Sequence, residues 1–417
     1  MMELNCGAEF DPVRDEEFFS ALPAAPAVVQ IEPRTELANA RPYLIRTADL
    51  RARMMRLVGK RDPATDPTAT RRLDLRQIAG GVRYRLTGSP FEQGFVLWQH
   101  ARRADPRGYQ ARLRMRWPAL LKVNLANAYP RCYVTRRIRA DENGRPTGGF
   151  YFGPFSSRRA ADAFASEFLN LFKIRRCQIK IRRDPTFPGC IYSEMKMCLA
   201  PCFAGCSAEE YAGETTRVVE FLSTAGGSLQ AELGREREAA SEATDFEKAA
   251  AVHKRLDKVS EVLRGLPELA RPIDQLDAVI MQRAAEPETI AVFIVRGARI
   301  AEPFLLRFGQ TAEPRSAEEI LRERLSEPAA PDPREPLADH LSLIARWFYS
   351  KPRAGEIFYR EKDWPLRRMV RACARLLAQG APAAKPKPGS AARKSVAVPK
   401  PVHRATKKGG KPTKPKS

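Results

Sequence analysis

"CQIKIRRDPTFPGCIYSEMKMCLAPC" spans residues 177–202 and carries Cys177, Cys190, Cys198 and Cys202, four of the chain's eight cysteines. Whether these thiols form disulfides, hold a metal or simply pack decides how the middle of the chain folds. Their intervals are twelve, seven and three residues, and Cys206 adds a further interval of three. Cys198 and Cys202 fall on one side of a helical turn, and Pro201 marks that turn as short or distorted. Thiolates are soft ligands for iron–sulfur clusters or zinc. Zinc sites favour paired, closely spaced cysteines, so one pair with two solitary thiols suits zinc less well. Free cysteine is also a common buried residue, and spacing alone leaves a plain packing role open.

The surrounding composition narrows the choice. The N-terminus, "MMELNCGAEFDPVRDEEFF", is acidic and lacks the basic-then-apolar order of a signal peptide. No apolar run approaches the roughly 20 residues that a membrane helix needs. The expected setting is cytoplasmic, where thiols stay reduced and disulfides are rare. With 417 residues there is room for about two to four domains. The net charge is +23. Residues 381–417 hold eleven Lys and Arg, seven Pro and no acid, so the rest of the chain still carries +12. A basic body with a basic tail favours polyanions, nucleic acid above all, with solubility as the plain alternative. In the tail, Lys407 and Lys408 are candidate phosphate contacts. The Lys/Pro-rich composition of that segment predicts disorder.

Upstream of the cysteines, "AVVQIE" and "RPYLI" read as strands, and "TADLRARMMRLVG" as a helix that Thr47 can cap. "SPFEQGFVLWQHARR" reads as a second helix weakened by Gly94. "YPRCYVTRRI" alternates like a strand, "ADENGRPTGG" turns at Asn143-Gly144, and "FYFGPF" returns as its partner. "SSRRAADAFASEFLNLF" is a capped amphipathic helix. Downstream, Ser207 and Glu210 form a capping-box start. Residues 228–265 then read as a helical hairpin that breaks near Ala243–Asp245 and ends at Gly265. Strands follow in "LDAVIMQ", "TIAVFIVRG" and "PFLLRF", then helical or mixed segments, "GEIFYR" and a last helix, "PLRRMVRACARLLAQG". His340, a lone histidine near a helix start beside Asp339, reads as a surface residue.

Tyr151–Pro154 (Tyr-Phe-Gly-Pro), Arg175 to Cys177 (Arg-x-Cys), Gly189-Cys190 and Cys198–Cys202 (Cys-Leu-x-Pro-Cys) occur in one order. This ordered set resembles the middle of the UvrC family, the incision subunits of bacterial nucleotide excision repair, with Gly189 where that family carries proline. The resemblance covers roughly residues 25–310. It implies a 4Fe-4S cluster on Cys177, Cys190, Cys198 and Cys202, with zinc as the alternative and Cys206 as a bystander. "ATDFEKAAAVHKRLDKVSEVL" is similar to the UVR motif, with Phe246, Glu247, Ala249, Ala250, Arg255 and Leu256 at matching places. The resemblance implies docking of this hairpin on a like hairpin of a UvrB-like partner. The stripe Phe246, Ala249, Ala250, Leu256, Val259 and Leu263 also suits packing on its own domain.

UvrC proteins also carry an N-terminal GIY-YIG nuclease domain. Laid on that pattern, Tyr43 and Arg53 match the second tyrosine and the catalytic arginine, and Arg46 stands where lysine is usual. Ala27, Val29 and Ile45 replace a glycine, a tyrosine and a glycine. The metal-binding glutamate falls on Leu97; Gln99 is the nearest polar residue and Glu92 the nearest acid. An apolar side chain cannot hold a divalent metal. The domain therefore reads as a catalytically degenerate endonuclease homologue in which Tyr43, Arg46 and Arg53 can still touch DNA; a divalent metal enters only if the nuclease is active. The alternatives are an active structure-selective endonuclease using a displaced acid, and a general DNA-coating protein. The family's second, RNase H-like centre and its helix-hairpin-helix region are expected to be missing.

The expected fold class is α+β and multidomain. Residues 1–125 form a small degenerate GIY-YIG-like sheet with helices. Residues 126–206 form the Cys-rich cluster region, and 207–266 the helical region with the UVR hairpin. Residues 267–380 are a remnant of the linking region, and 381–417 the disordered basic tail.

Overall fold

The computed structural model describes residues 1–34, 42–60, 73–327 and 332–378. The tail with Lys407 and Lys408 lies outside them. The described chain is a mixture of helices and antiparallel sheets, as an α+β fold requires.

The N-terminal sheet runs Cys6–Glu9, Ala79–Leu86, Ala27–Pro33 and Tyr43–Thr47 in spatial order, all antiparallel. Strand Ala27–Pro33 is covered on both faces at its start, where Ala27, Val28 and Val29 are all buried. Ala27, Val29 and Ile31 pack with Leu50, Met54 and Leu57 of helix Leu50–Val58. Val28 turns the other way, into a core with Phe91 and Phe95 of helix Pro90–Ala104. Helix Leu50–Val58 is capped by Asp49 rather than Thr47. The Asp49 carboxylate accepts from the Ala52 N–H at 2.8 Å, and the Thr47 hydroxyl accepts from the Asp49 N–H instead. Ser89 caps helix Pro90–Ala104, with proline at its first turn. Gly94 is tolerated there, with Leu343 of the facing helix Leu337–Phe348 lying 3.9 Å from where its Cβ would be.

The middle sheet runs Arg271–Pro272, Phe150–Phe155, Ala119–Val123 and Cys132–Thr135. The two strands expected to pair, "FYFGPF" and "YPRCYVTRRI", are separated by Ala119–Val123, and Leu121 lies opposite both Phe152 and Val134. "ALLKV" is buried along its whole length and so lacks the alternation that advertises a strand. The turn at Asn143-Gly144 is present, with Gly144 at φ +69°, and closes a short ribbon of Arg139–Ala140 on Pro146–Thr147. Ser157 caps helix Arg158–Leu169. Its Phe164 and Phe168 stack with Phe152, Phe155 and Phe221. Helix Ala208–Ser223 starts with the Ser207/Glu210 capping box. The hairpin then forms from Gly227–Glu242 and Phe246–Arg264. Gly226 has φ +87°, and a Cβ there would meet Leu263 at 2.6 Å, so the entry to the hairpin needs glycine.

The third sheet contains Ala278–Arg283, Thr289–Arg296, Arg299–Ile300, Phe304–Arg307 and Glu356–Tyr359. Alternate residues serve two cores. Val279, Met281, Val292 and Ile294 meet helices Ala317–Ser326 and Leu366–Ala378. Ile280, Ala291, Phe293 and Val295 meet helices Pro90–Ala104 and Leu337–Phe348. Helix Pro90–Ala104 therefore lies between the N-terminal and third sheets and shares a core with each.

His340, expected at the surface, is fully buried together with its neighbour Asp339, both at 0% exposure. Asp339 accepts from Trp98 Nε1 (3.0 Å), Tyr109 Oη (2.5 Å), Gln110 Nε2 (3.2 Å) and Trp117 Nε1 (3.4 Å). His340 Nδ1 accepts from the Ile300 N–H at 3.1 Å, which leaves the proton on Nε2, 3.1 Å from the Glu335 carboxylate. Burial pushes the His340 pKa down, against the pull of Glu335. Helix Leu337–Phe348 faces protein on nearly every side, so a position near its start gives no access to water. Replacing Asp339 by alanine leaves two buried indole and phenol donors without their acceptor. It is expected to cost about 3 kcal/mol, read as a lowered midpoint in urea unfolding. A wild-type midpoint would show that this carboxylate does not hold the two segments together.

Candidate functional site

Three places carry the functional residues expected from the sequence: the cysteine region, the N-terminal sheet and the helical hairpin. The cysteine region is held by Arg175, which is only 4% exposed. Its guanidinium donates to Tyr129 O (2.8 Å), Cys177 O (3.3 Å) and Ile179 O (2.8 Å), and reaches Cys177 Sγ at 3.9 Å. Its backbone N–H donates to Tyr211 Oη, which in turn donates to Pro130 O. The Arg-x-Cys spacing thus lets one buried side chain gather the loop that bears Cys177. Cys190 precedes the short helix Ile191–Glu194, fixed by Ser193, whose hydroxyl accepts from the Cys190 N–H and donates to the Cys190 carbonyl. Gly189, where the family carries proline, has φ +87°, which a proline ring cannot adopt. Cys198 Sγ accepts from the Ala200 N–H at 3.3 Å. Cys202 sits in a short 3₁₀ turn, Pro201–Phe203, the shortened turn that Pro201 foretold.

All eight cysteines are free thiols. Burial pushes the Cys198 thiol up to about 11 against the Ala200 N–H, and Cys177, Cys190 and Cys202 push it the same way. The four thiols therefore share one electrostatic neighbourhood. Among the described residues, however, no three His, Cys, Asp or Glu side chains are close enough to hold a metal ion. Cys206 lies in the hydrophobic core beside Tyr211 and Phe172.

On the N-terminal sheet, Val29 is buried opposite Ile45 and Tyr84. Tyr43 is half-buried on the core with Ile45 and Tyr84. Arg53 lies on helix Leu50–Val58 with its Nε buried and unpartnered. Neither candidate metal ligand, Glu92 or Gln99, is open to a metal. Glu92 accepts from the Gly88 N–H at 2.8 Å and lies 4.0 Å from Arg85; Gln99 accepts from the Met2 N–H. Burial raises the Glu92 pKa, with Gly88 and Arg85 pulling it down and Glu286 pushing it up. Leu97 lines a cleft of about 280 Å³ that also receives Arg46, Arg112 and Arg346. Burial lowers the Arg346 pKa, and Arg46 and Arg116 lower it further. This clustering of arginines joins residues some 300 positions apart and left no trace in local sequence.

In the hairpin the expected apolar stripe divides. Val252, Val259 and Val262 are buried, with Leu256 and Leu263 packed beside them. Phe246 is 72% exposed at the hairpin tip, and Glu247 and Ala250 are exposed near it. Arg255 pairs with Glu236 of the opposite helix at 3.0 Å.

Residues 119–221 match the family described as UvrC/Cho excinuclease, middle domain. That range takes in three strands of the middle sheet, helix Arg158–Leu169 and all the clustered cysteines. UvrABC system protein C of Ruminiclostridium cellulolyticum is 31% identical over 182 residues, 43% of this chain and 28% of the relative. The Rickettsia bellii protein of the same name is 30% identical over 46% of this chain and 27% of its own length. That of a Thermoanaerobacter species is 26% identical over 57% of this chain and 39% of the relative. The chain is thus UvrC-like through its middle and aligns with well under half the length of these relatives. No solved structure matches it. Among the described residues, no helix is long and apolar enough to cross a membrane.

The raised Glu92 pKa fixes a sign. The folded chain holds this proton more tightly than the unfolded chain, so the penalty is absent below the ordinary carboxylate range. It grows as pH rises from the ordinary to the raised value and is constant above that. Glu92→Gln keeps an acceptor for Gly88 and removes the charge. It is expected to melt at or above wild type at pH 7, with the advantage gone near pH 4. Each unit of elevation corresponds to about 1.4 kcal/mol. A loss of stability at pH 7 would instead show that the ionised carboxylate is needed.

Proposed function

We propose that this chain is a UvrC-like protein of nucleotide excision repair that binds DNA and a UvrB-like partner without cutting DNA itself. The observation that carries the reading is the middle-domain match over residues 119–221, which contains the ordered cysteine motifs. The net charge of +23 supports contact with DNA phosphates. Arg46, beside Arg112 and Arg346 in the apolar cleft, and Lys407 and Lys408 in the tail are the assigned contacts. They would read charge rather than base sequence.

The four clustered cysteines are assigned to a 4Fe-4S cluster, with zinc as the alternative. The donor set suits a cluster by its chemistry, four thiols within 26 residues with a backbone N–H directed at Cys198 and a guanidinium near Cys177, and the loops that bear them would have to draw together to bind it. Hydrogen bonds of this kind to sulfur tune and stabilise thiolate ligands. A bound cluster would tie the loops of residues 177–202 together and supply a redox-active centre. Anaerobic purification of the full chain is expected to yield about four iron and four sulfide per chain, both lost in Cys198→Ser. A metal-free, folded protein would remove the assignment; zinc with no sulfide would select the alternative.

Loss of incision is supported by Val29 in place of a phenol and by Glu92 and Gln99 being engaged in structural hydrogen bonds. No nicking of damaged or branched DNA is expected with Mg²⁺ or Mn²⁺. Metal-dependent cleavage abolished by Arg53→Ala would establish the alternative, an active endonuclease. Partner binding is assigned to Phe246, Glu247, Ala250 and Arg255. An exposed phenylalanine at a hairpin tip suits docking on another helix pair. Phe246→Ala is expected to leave the unfolding midpoint within about 0.5 kcal/mol of wild type. It is also expected to weaken binding to the like hairpin of a UvrB protein about tenfold, measured by calorimetry. Unchanged affinity would remove this surface from the assignment.

A further inference from the structure

Lys122 is the single charged residue of the buried strand Ala119–Val123 and is itself only 6% exposed. Its neighbours Leu121 and Val123 enter the aromatic core, so Lys122 points to the opposite face of the middle sheet. Across the sheet it lies between Tyr133 on one side and Tyr151 on the other. Its ammonium donates to Tyr151 Oη at 2.8 Å and lies 4.7 Å from that ring. Tyr151 Oη also accepts from the Arg139 N–H at 3.1 Å and lies 3.2 Å from Thr147 O, to which it donates. Lys122 thus has a neutral partner of fixed orientation and no carboxylate. Buried charges are ordinarily paired with an opposite charge.

The ammonium borders an open cavity of about 390 Å³. Asn124, Asn127, Tyr133, Arg137 and Arg139 also line it, and among the described residues its lining holds no aspartate or glutamate. Asn124 Oδ1 accepts from the Arg131 N–H and Asn127 Oδ1 from the Tyr129 N–H. Each amide is left with its NH₂ donors to offer. Two glycines allow the facing loop to close on the lysine. A Cβ on Gly149, at φ +151°, would meet Val123 O at 2.3 Å and Lys122 Cε at 3.0 Å; one on Gly148 would lie 3.6 Å from Lys122 Nζ. One buried cation, two exposed guanidinium groups and a set of donors without a competing acid make a site for an oxyanion with several acceptor oxygens.

We propose that this cavity holds a phosphate group of a nucleic-acid strand, with Lys122 as the buried anchor and Arg137 and Arg139 as the rim. The choice of nucleic acid as the source rests on the DNA-binding reading above; the anion site does not. Two measurements on the full chain separate them. The first is thermal unfolding in sodium phosphate against sodium chloride at equal ionic strength. The second is anisotropy of a labelled oligonucleotide across a salt series. The expected result is a melting temperature raised by phosphate in wild type and not in Lys122→Met. Lys122→Met is also expected to bind the oligonucleotide about tenfold more weakly, with the slope of log K against log salt reduced by about one. Arg137→Ala and Arg139→Ala, at the exposed rim, are expected to move both readouts the same way. They decide the matter if Lys122→Met fails to fold. Equal melting in the two salts, with rim variants that bind DNA like wild type, would overturn the site. A phosphate shift with DNA affinity unchanged in every variant would overturn the nucleic-acid source in favour of free phosphate. A wild-type chain that binds no DNA yet shows the phosphate shift would sink the DNA-binding reading itself, and with it the ligand named here.

Discussion

The carboxylate of Asp339, sealed among Trp98, Tyr109, Gln110 and Trp117, joins helix Leu337–Phe348 to the helix and loop of residues 90–117. These donors are neutral, so the carboxyl group is held by their number and orientation. Removing any of them leaves a polar group facing an apolar interior, where an unmade hydrogen bond is costly. Much of the architecture follows from this junction. It holds helix Pro90–Ala104 between two sheets, which lets Phe91, Phe95 and Trp98 serve one continuous core. It also fixes the loop of residues 112–116 against helix Leu337–Phe348, where Ser342 and Arg346 donate to the carbonyls of Arg116 and Arg114.

The same burial logic bears on the N-terminal sheet. A hydrolytic centre of the GIY-YIG kind would need a phenol, a cation and a carboxylate open to a metal and to water. Here Val29 fills the interior, Glu92 supports the start of its own helix, and Gln99 ties down the N-terminus. Each replacement suits the packing around it. What remains exposed is positive charge: Arg46, Arg112 and Arg346 around an apolar cleft, and Arg137 and Arg139 around Lys122. Around these two clefts the cations stay exposed, while Glu92 and Gln99 turn inward.

The middle of the chain shows why short motifs recur as sets. Arg175 spans the distance between the Tyr129 carbonyl and the loop after Cys177, so the arginine and the cysteine work at fixed spacing. Tyr211 accepts from the Arg175 N–H and donates to Pro130, joining helix Ala208–Ser223 to both. Tyr151, from the Tyr-Phe-Gly-Pro motif, orients Lys122. These residues belong to separate motifs in the chain and to two small hydrogen-bonded assemblies in space.

Local physics was enough to read most helices and several strands from the sequence. The capped start at Ser157 and the Ser207/Glu210 box announced helix starts because a cap is made within four residues. The break in the hairpin near Ala243–Asp245 was legible for the same reason. The cysteine spacing and its neighbours marked the middle region. Other features were settled only by residues far apart in the chain. Ala119–Val123 became central because strands on both sides cover it, and a strand covered on both faces has no alternation to read. Val252, Val259 and Val262 rather than the full expected stripe turned inward, since periodicity defines a helix face but not what covers it. Asp339 is buried by Trp98, 241 residues away, and Lys122 acquires its pocket from a loop that two glycines allow to close. Such contacts depend on which surfaces meet, and a sequence read locally holds no record of that.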